Sequence, residues 1–201
     1  MERIYIFTRF ERFWHWTQAL LVIGMLLTGF EIHGTYHLLG FAKAHQIHGI
    51  AAWALIILWV FAIFWHFVTG EWRQYIPTMK NVDVVLRHYA WGIFRGEPHP
   101  FKVTRRQKHN PLQAQAYLMV KVLINPLLWI SGLLYLYYNE LAARGHHFDL
   151  ASIALAHTIG AFLMLAFFIA HVYLITTGET VGAHLKAMLT GWERSDEKSA
   201  R

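Results

Sequence analysis

One stretch constrains what this chain can fold into: residues 151–176, ASIALAHTIGAFLMLAFFIAHVYLIT. As a helix this apolar run is long enough to cross a bilayer. Two histidines interrupt it, His157 and His171, fourteen residues apart. That separation returns the second side chain to within about 40° of the first, roughly 21 Å further along the helix. Gly160, Ala161, Met164 and Phe168 lie between them on that face. Ionisable residues inside a span are costly and mark function. One histidine there would equally suit a buried hydrogen bond or a proton path. Two on one face, near opposite membrane surfaces, read as axial ligands for two flat cofactors. Haem is the candidate, because imidazole binds its iron well.

Composition narrows the chemistry. The chain has 201 residues, 56% of them hydrophobic and 16% aromatic, with a mean hydropathy of +0.31. That is too apolar for a soluble domain of this size and predicts a polytopic membrane protein. Cysteine is absent, which excludes disulfides, iron–sulfur clusters, thiolate-ligated haem and c-type attachment on this chain. The fourteen histidines are the ligands left.

Read in order, the chain predicts four spans at about 14–30, 45–68, 114–138 and 151–176, in a single domain covering 1–201. Residues 1–13 carry Arg3, Arg9 and Arg12 and do not read as a secretory signal. His15 stands at the entrance of the first span. Gly29 falls on the same face fourteen residues on, where it would admit a bulky ring or close helix packing. His45 and His48 open the second span and His66 closes it; His66 reads as interfacial, or as a contact to a propionate or quinone. The polar 70–113 segment is expected to be a surface loop with one short amphipathic helix around Val82 to Phe94. Asn125-Pro126 should kink the third span, and Lys121 is expected to snorkel to the surface. The closing SDEKSAR reads as a frayed tail.

Lys and Arg set the expected topology. The N-terminal tail, the 70–113 loop and the C-terminal tail hold three, eight and four of them, against one in each short connector, Lys43 and Arg144. Both termini and the loop are therefore expected in the cytoplasm, and the formal charge of +6 needs no nucleic-acid partner. Depth then pairs the histidines: His15 with His171 near the inner face, and His48, or His45, with His157 near the outer face. His48 is preferred because it lies one turn deeper, with Ala52 on the next turn leaving room for a ring.

The motifs ERFWHW (11–16), FAIFWHFVTG (61–70), KHNPLQ (108–113) and HTIGAFLMLAFFIAHVYL (157–174) touch all four spans. In them the chain resembles the di-haem cytochrome b subunits of formate dehydrogenase, nickel–iron hydrogenase and thiosulfate reductase complexes. The closing TTGETVGAHLKAMLTGWE (176–193) is similar to the thiosulfate reductase branch. The resemblance implies an all-α integral membrane protein, a four-transmembrane-helix haem-binding bundle. It implies haem b ligation by His15, His48, His157 and His171, with Arg12 neutralising a haem propionate. It also implies that Asn110 and Gln113 line a quinone pocket beside the inner haem. The bland alternative is that Asn110 is a helix cap, with Pro111 at the first helical position.

The expected function is a membrane anchor in a bacterial inner membrane. It would pass electrons between a quinone (menaquinone or ubiquinone) and an iron–sulfur or multihaem partner subunit on the outer face. Two rivals remain at this stage: a stand-alone quinone-linked oxidoreductase acting on a small oxidant, and a transporter or proton channel using the histidines as a relay.

Overall fold

The structure is a computed structural model that describes residues 2–76, 82–97, 100, 108, 110–177 and 180–195. His109 of KHNPLQ, the prolines at 77 and 98, residues 178–179 of the closing motif and residues 196–201 of the tail lie outside the described residues. Four helices are long and apolar enough to cross a membrane: α1 (Arg9–Ile32), α2 (Phe41–Thr69), α4 (Pro111–Leu136) and α6 (Leu150–Ile175). Shorter helices lie outside them: α3 (Val82–Ala90), α5 (Tyr138–Ala143) and α7 (Ala183–Thr190). A 3-10 turn at Gly92–Arg95 follows α3, so the expected amphipathic segment is two pieces.

The chain divides into two compact units, Thr8–Trp72 and Met1–Phe7 with Arg73–Arg201. In the first, α1 packs against α2. The buried residues of α2 are Ala44, Ala51, Leu55, Trp59, Ala62 and His66, a run of sevens, fours and threes that keeps one helical face. Ile57, Val60, Phe61, Phe64 and Phe67 are exposed, as befits a helix facing lipid. α1 begins with a capping box: Thr8 Oγ1 accepts from the Glu11 N–H at 3.3 Å, and Glu11 Oε2 accepts from the Thr8 N–H at 2.7 Å. Glu11 of ERFWHW is thus committed to starting the helix.

The other end of α1 is held by a second carboxylate. Glu31 Oε1 accepts from the backbone N–H groups of Leu38 (2.8 Å), Leu39 (2.5 Å) and Gly40 (2.7 Å). Three successive amides at the start of α2 form an anion-binding nest. Gly40, at φ +84°, takes a left-handed conformation that a side chain would resist.

In the second unit α4 packs against α6. A Cβ at Gly160 would stand 3.0 Å from Leu128, so this glycine sets a close helix approach. The expected kink in α4 is a π-turn over Val120–Ile124, where the Asn125 N–H bonds to the Val120 carbonyl. Pro126 lacks the N–H an α-helix would use there, and a widened turn relieves its clash with the preceding carbonyl. Lys121, inside that turn, does not snorkel: its Nζ lies 2.9 Å from the centroid of the Tyr75 ring, a cation–π contact.

A two-stranded antiparallel sheet, not expected from the sequence, is also present. β1 (Glu2–Tyr5) pairs with β2 (Trp192–Ser195), Tyr5 opposite Trp192, their rings 5.2 Å apart. It holds the two ends of the chain together. Gly191 turns the chain into β2 at φ +86°, and a Cβ there would stand 2.6 Å from the Phe7 carbonyl oxygen and 2.5 Å from the Tyr5 ring. Gly191→Ala should therefore cost about 1–3 kcal/mol. It should also accelerate exchange of the Ile6 amide, which donates to the Gly191 carbonyl at 2.9 Å. Unchanged exchange at Ile6 would show that the clasp does not depend on this turn.

Candidate functional site

Each unit carries histidines at two levels. In the first, His15 sits in the second turn of α1, half-buried and edge-on to Trp16 at 5.1 Å. Arg12 lies one turn earlier on the same helix, also half-buried. His48, on α2, rests against the far end of α1: its Nδ1 is 2.9 Å from Thr28 Oγ1. A Cβ on Gly29 would stand 3.4 Å from His48 Cε1. Thr28 is thirteen residues beyond His15, about 20 Å along α1. Gly29 does admit a ring, and the ring is an imidazole.

The second unit repeats the scheme. His157, on α6, has its Nδ1 3.1 Å from Ser131 Oγ, and a Cβ on Gly132 would stand 3.0 Å from His157 Cε1. His171 lies at the other end of α6, stacked on Phe167 (5.8 Å, 18°) and tilted against Tyr117 at 6.4 Å. Tyr117 and Ser131 are fourteen residues apart on α4, about 20 Å. Thr28 and Ser131, both 4% exposed, were missed in the sequence. The signal that could have found them is a hydroxyl residue directly followed by glycine within a span.

The remaining candidates separate. His45 is exposed and stacks on Phe41 at 6.1 Å, whereas His48 is half-buried and docked. His66 is buried; its Nδ1 lies 2.6 Å from the Ala62 carbonyl, and its ring stands edge-on to Trp14 and Trp65. A carbonyl only accepts, so His66 Nδ1 is a donor committed to its own helix.

Asn110 is the cap. Its Oδ1 accepts from the Gln113 N–H at 2.8 Å, Gln113 Oε1 accepts from the Asn110 N–H at 3.0 Å, and Asn110 Nδ2 donates to Tyr89 Oη at 3.0 Å. At 2% exposure, Asn110 is turned inward, while the half-buried Gln113 keeps amide hydrogens outside the capping box. Burial pushes the Tyr89 phenol upward, and the bond from Asn110 works against that rise.

The residues present fit haem. Each docked imidazole uses its Nδ1 within the protein, the second-shell bond that orients a metal-bound histidine. Glycine opposite each ring clears the space beside it. Among the described residues no three His, Cys, Asp or Glu converge.

Four apolar helices, three of them carrying histidines, suit a membrane cytochrome of the b type. The chain belongs to the prokaryotic cytochrome b561 family, whose model matches residues 6–191. This family includes the cytochrome b subunits of nickel–iron hydrogenases, binds haem b and acts in electron transfer. The chain is 32% identical over 202 residues to YdhU of Escherichia coli (strain K12), a protein itself named only provisionally as a cytochrome; the match covers 96% of this chain and 76% of YdhU. No solved structure matches the chain.

Asn110→Ala should cost about 1 kcal/mol through loss of the cap and raise the Tyr89 phenol further. Asn110→Asp, which still caps, should hold the stability. Unfolding in detergent and the phenolate absorbance check both; an alanine variant as stable as the parent would show that the cap contributes nothing.

Proposed function

We propose that the chain is the membrane-anchor, di-haem cytochrome b subunit that carries electrons between the quinone pool and a redox subunit on the outer face. The observation that carries this reading is the two-level histidine arrangement, found separately in each unit. His15 and His171 serve the inner haem, His48 and His157 the outer one. Held by an imidazole from each histidine of a pair, the haems would supply a one-electron relay and leave no iron position open to oxygen.

The protein's own residues do the rest. Thr28, Ser131 and their glycines fix ring orientation at the outer level. Arg12, one turn from His15, balances a propionate charge at the inner level. Gln113 offers an amide donor to a quinone carbonyl without adding charge, and the inward-turned Asn110 holds it in place. The basic termini and the 70–113 segment face the cytoplasm of a bacterial inner membrane, and an iron–sulfur or multihaem subunit docks on the outer side.

Purified protein should bind two b haems per chain, low-spin when reduced. His48→Ala should lose one, whereas His45→Ala should keep both. A pyridine haemochrome ratio near one in the parent would refute the pairing; the reverse mutant pattern would move the ligand to His45.

For the quinone, Gln113→Glu keeps the oxygen that completes the capping box but removes the amide donor. Quinone-dependent electron transfer should fall about tenfold, as loss of one hydrogen bond of roughly 1.5 kcal/mol implies, with haem content intact. A rate equal to the parent's would place the quinone elsewhere.

A further inference from the structure

The hydroxyls beside His48 and His157 do more than fill space. A hydroxyl has one proton to give. Thr28 Oγ1 directs its own to the Gly24 carbonyl at 2.8 Å, with Met25 O at 3.3 Å. Ser131 Oγ directs its own to the Leu127 carbonyl at 2.5 Å, with Leu128 O at 3.4 Å. Carbonyl oxygens cannot donate, so in both places the hydroxyl proton is spent on its own helix. The oxygen can then only accept from the imidazole. The contacts at 2.9 Å and 3.1 Å are therefore Nδ1–H donating to Oγ.

We propose that Thr28 and Ser131 are a matched pair of positioning residues that lock His48 and His157 in the Nδ1–H tautomer, presenting Nε2 to iron, and thereby set the potential of the outer haem. The inference rests on the assignment of those two histidines as its ligands. An acceptor on Nδ1–H makes the imidazole more electron-rich and raises ligand basicity, which favours ferric iron and holds the potential down. The two hydroxyls act on opposite ligands of one haem and on neither ligand of the other. At the inner level His171 is flanked by Phe167 and Tyr117 rings, a different environment for the same ligand type. Two haems with the same ligands thus acquire different potentials from their neighbours.

The test uses the full-length protein in detergent with its haems bound. Ser131→Ala and Thr28→Val remove one acceptor each with little change of shape; Ser131→Thr and Thr28→Ser restore the oxygen. Redox titration of the haem absorbance, electron paramagnetic resonance of the ferric low-spin signals and haem retention are the readouts. In each acceptor-less variant one potential should move upward, its low-spin signal should shift and haem affinity should fall about 10–100-fold, while the other haem stays put. The hydroxyl-restoring variants should return to the parent values. If either acceptor-less variant leaves both potentials and both signals unchanged, the inference is overturned. Equal shifts of both haems also overturn it, since they would report a general loosening. His48→Ala and His157→Ala are run beside them: loss of the same single haem in both upholds the ligand assignment independently. If both haems persist in those two, the assignment fails, and the tautomer argument falls with it.

Discussion

A histidine in hydrocarbon must spend its polar edge inside the protein, because no water is there to take it. In this chain that requirement is met at His48 and at His157 by a hydroxyl on the preceding span, followed by a glycine that lets the ring approach the backbone. The seam between the two helices of each unit is built around that contact. The hydroxyl is itself anchored to a carbonyl of its own helix. The ring cannot be rotated without breaking a buried bond, which costs about 1–3 kcal/mol. Such a ring is fixed in orientation.

The helix ends obey the same accounting. α1 and α4 both begin in a reciprocal capping box, and Glu31 satisfies three amides where α2 begins. These devices fix where each span starts and hence the depth of every side chain along it. Depth matters here because electron transfer falls steeply with distance, and the histidine levels define where the cofactors of a b-type cytochrome can lie. A slip of one residue in α1 would turn His15 by about 100° and take it off its face.

The spans were legible because hydropathy and length alone determine them; the helix ends moved by only a few residues once caps such as Thr8 and Asp149 were seen. The histidine levels were legible from spacing. Spacing did not separate His45 from His48, since both fit within a turn; in the structure the two differ in burial and contacts. Asn110 was ambiguous because one side chain suits both a cap and a quinone contact, and only the bond to Tyr89, twenty-one residues away, shows which way it points. The sheet was invisible for a different reason. ERIY and WERS are four residues each, too short and too polar for an alternation to stand out, and their pairing joins opposite ends of the sequence.

The π-turn of α4 gains meaning from the same arithmetic. In α1 the docking hydroxyl Thr28 follows the capping residue Thr8 by 20 positions; in α4 Ser131 follows Asn110 by 21. One extra residue in a regular helix would rotate Ser131 by about 100°, away from the seam with α6. The turn over Val120–Ile124 absorbs that residue through longer-range backbone bonding, so Ser131 and Gly132 reach the face that Thr28 and Gly29 occupy in α1. Before the turn no correction is needed. Tyr117 follows Asn110 by seven positions, as His15 follows Thr8, and it is Tyr117 that lies against His171. The widened turn also leaves Lys121 a side-on path to Tyr75, so the one cation of this span is held on an aromatic face rather than in lipid. The proline that most threatens the helix thus comes with the adjustment that brings the hydroxyl to its histidine.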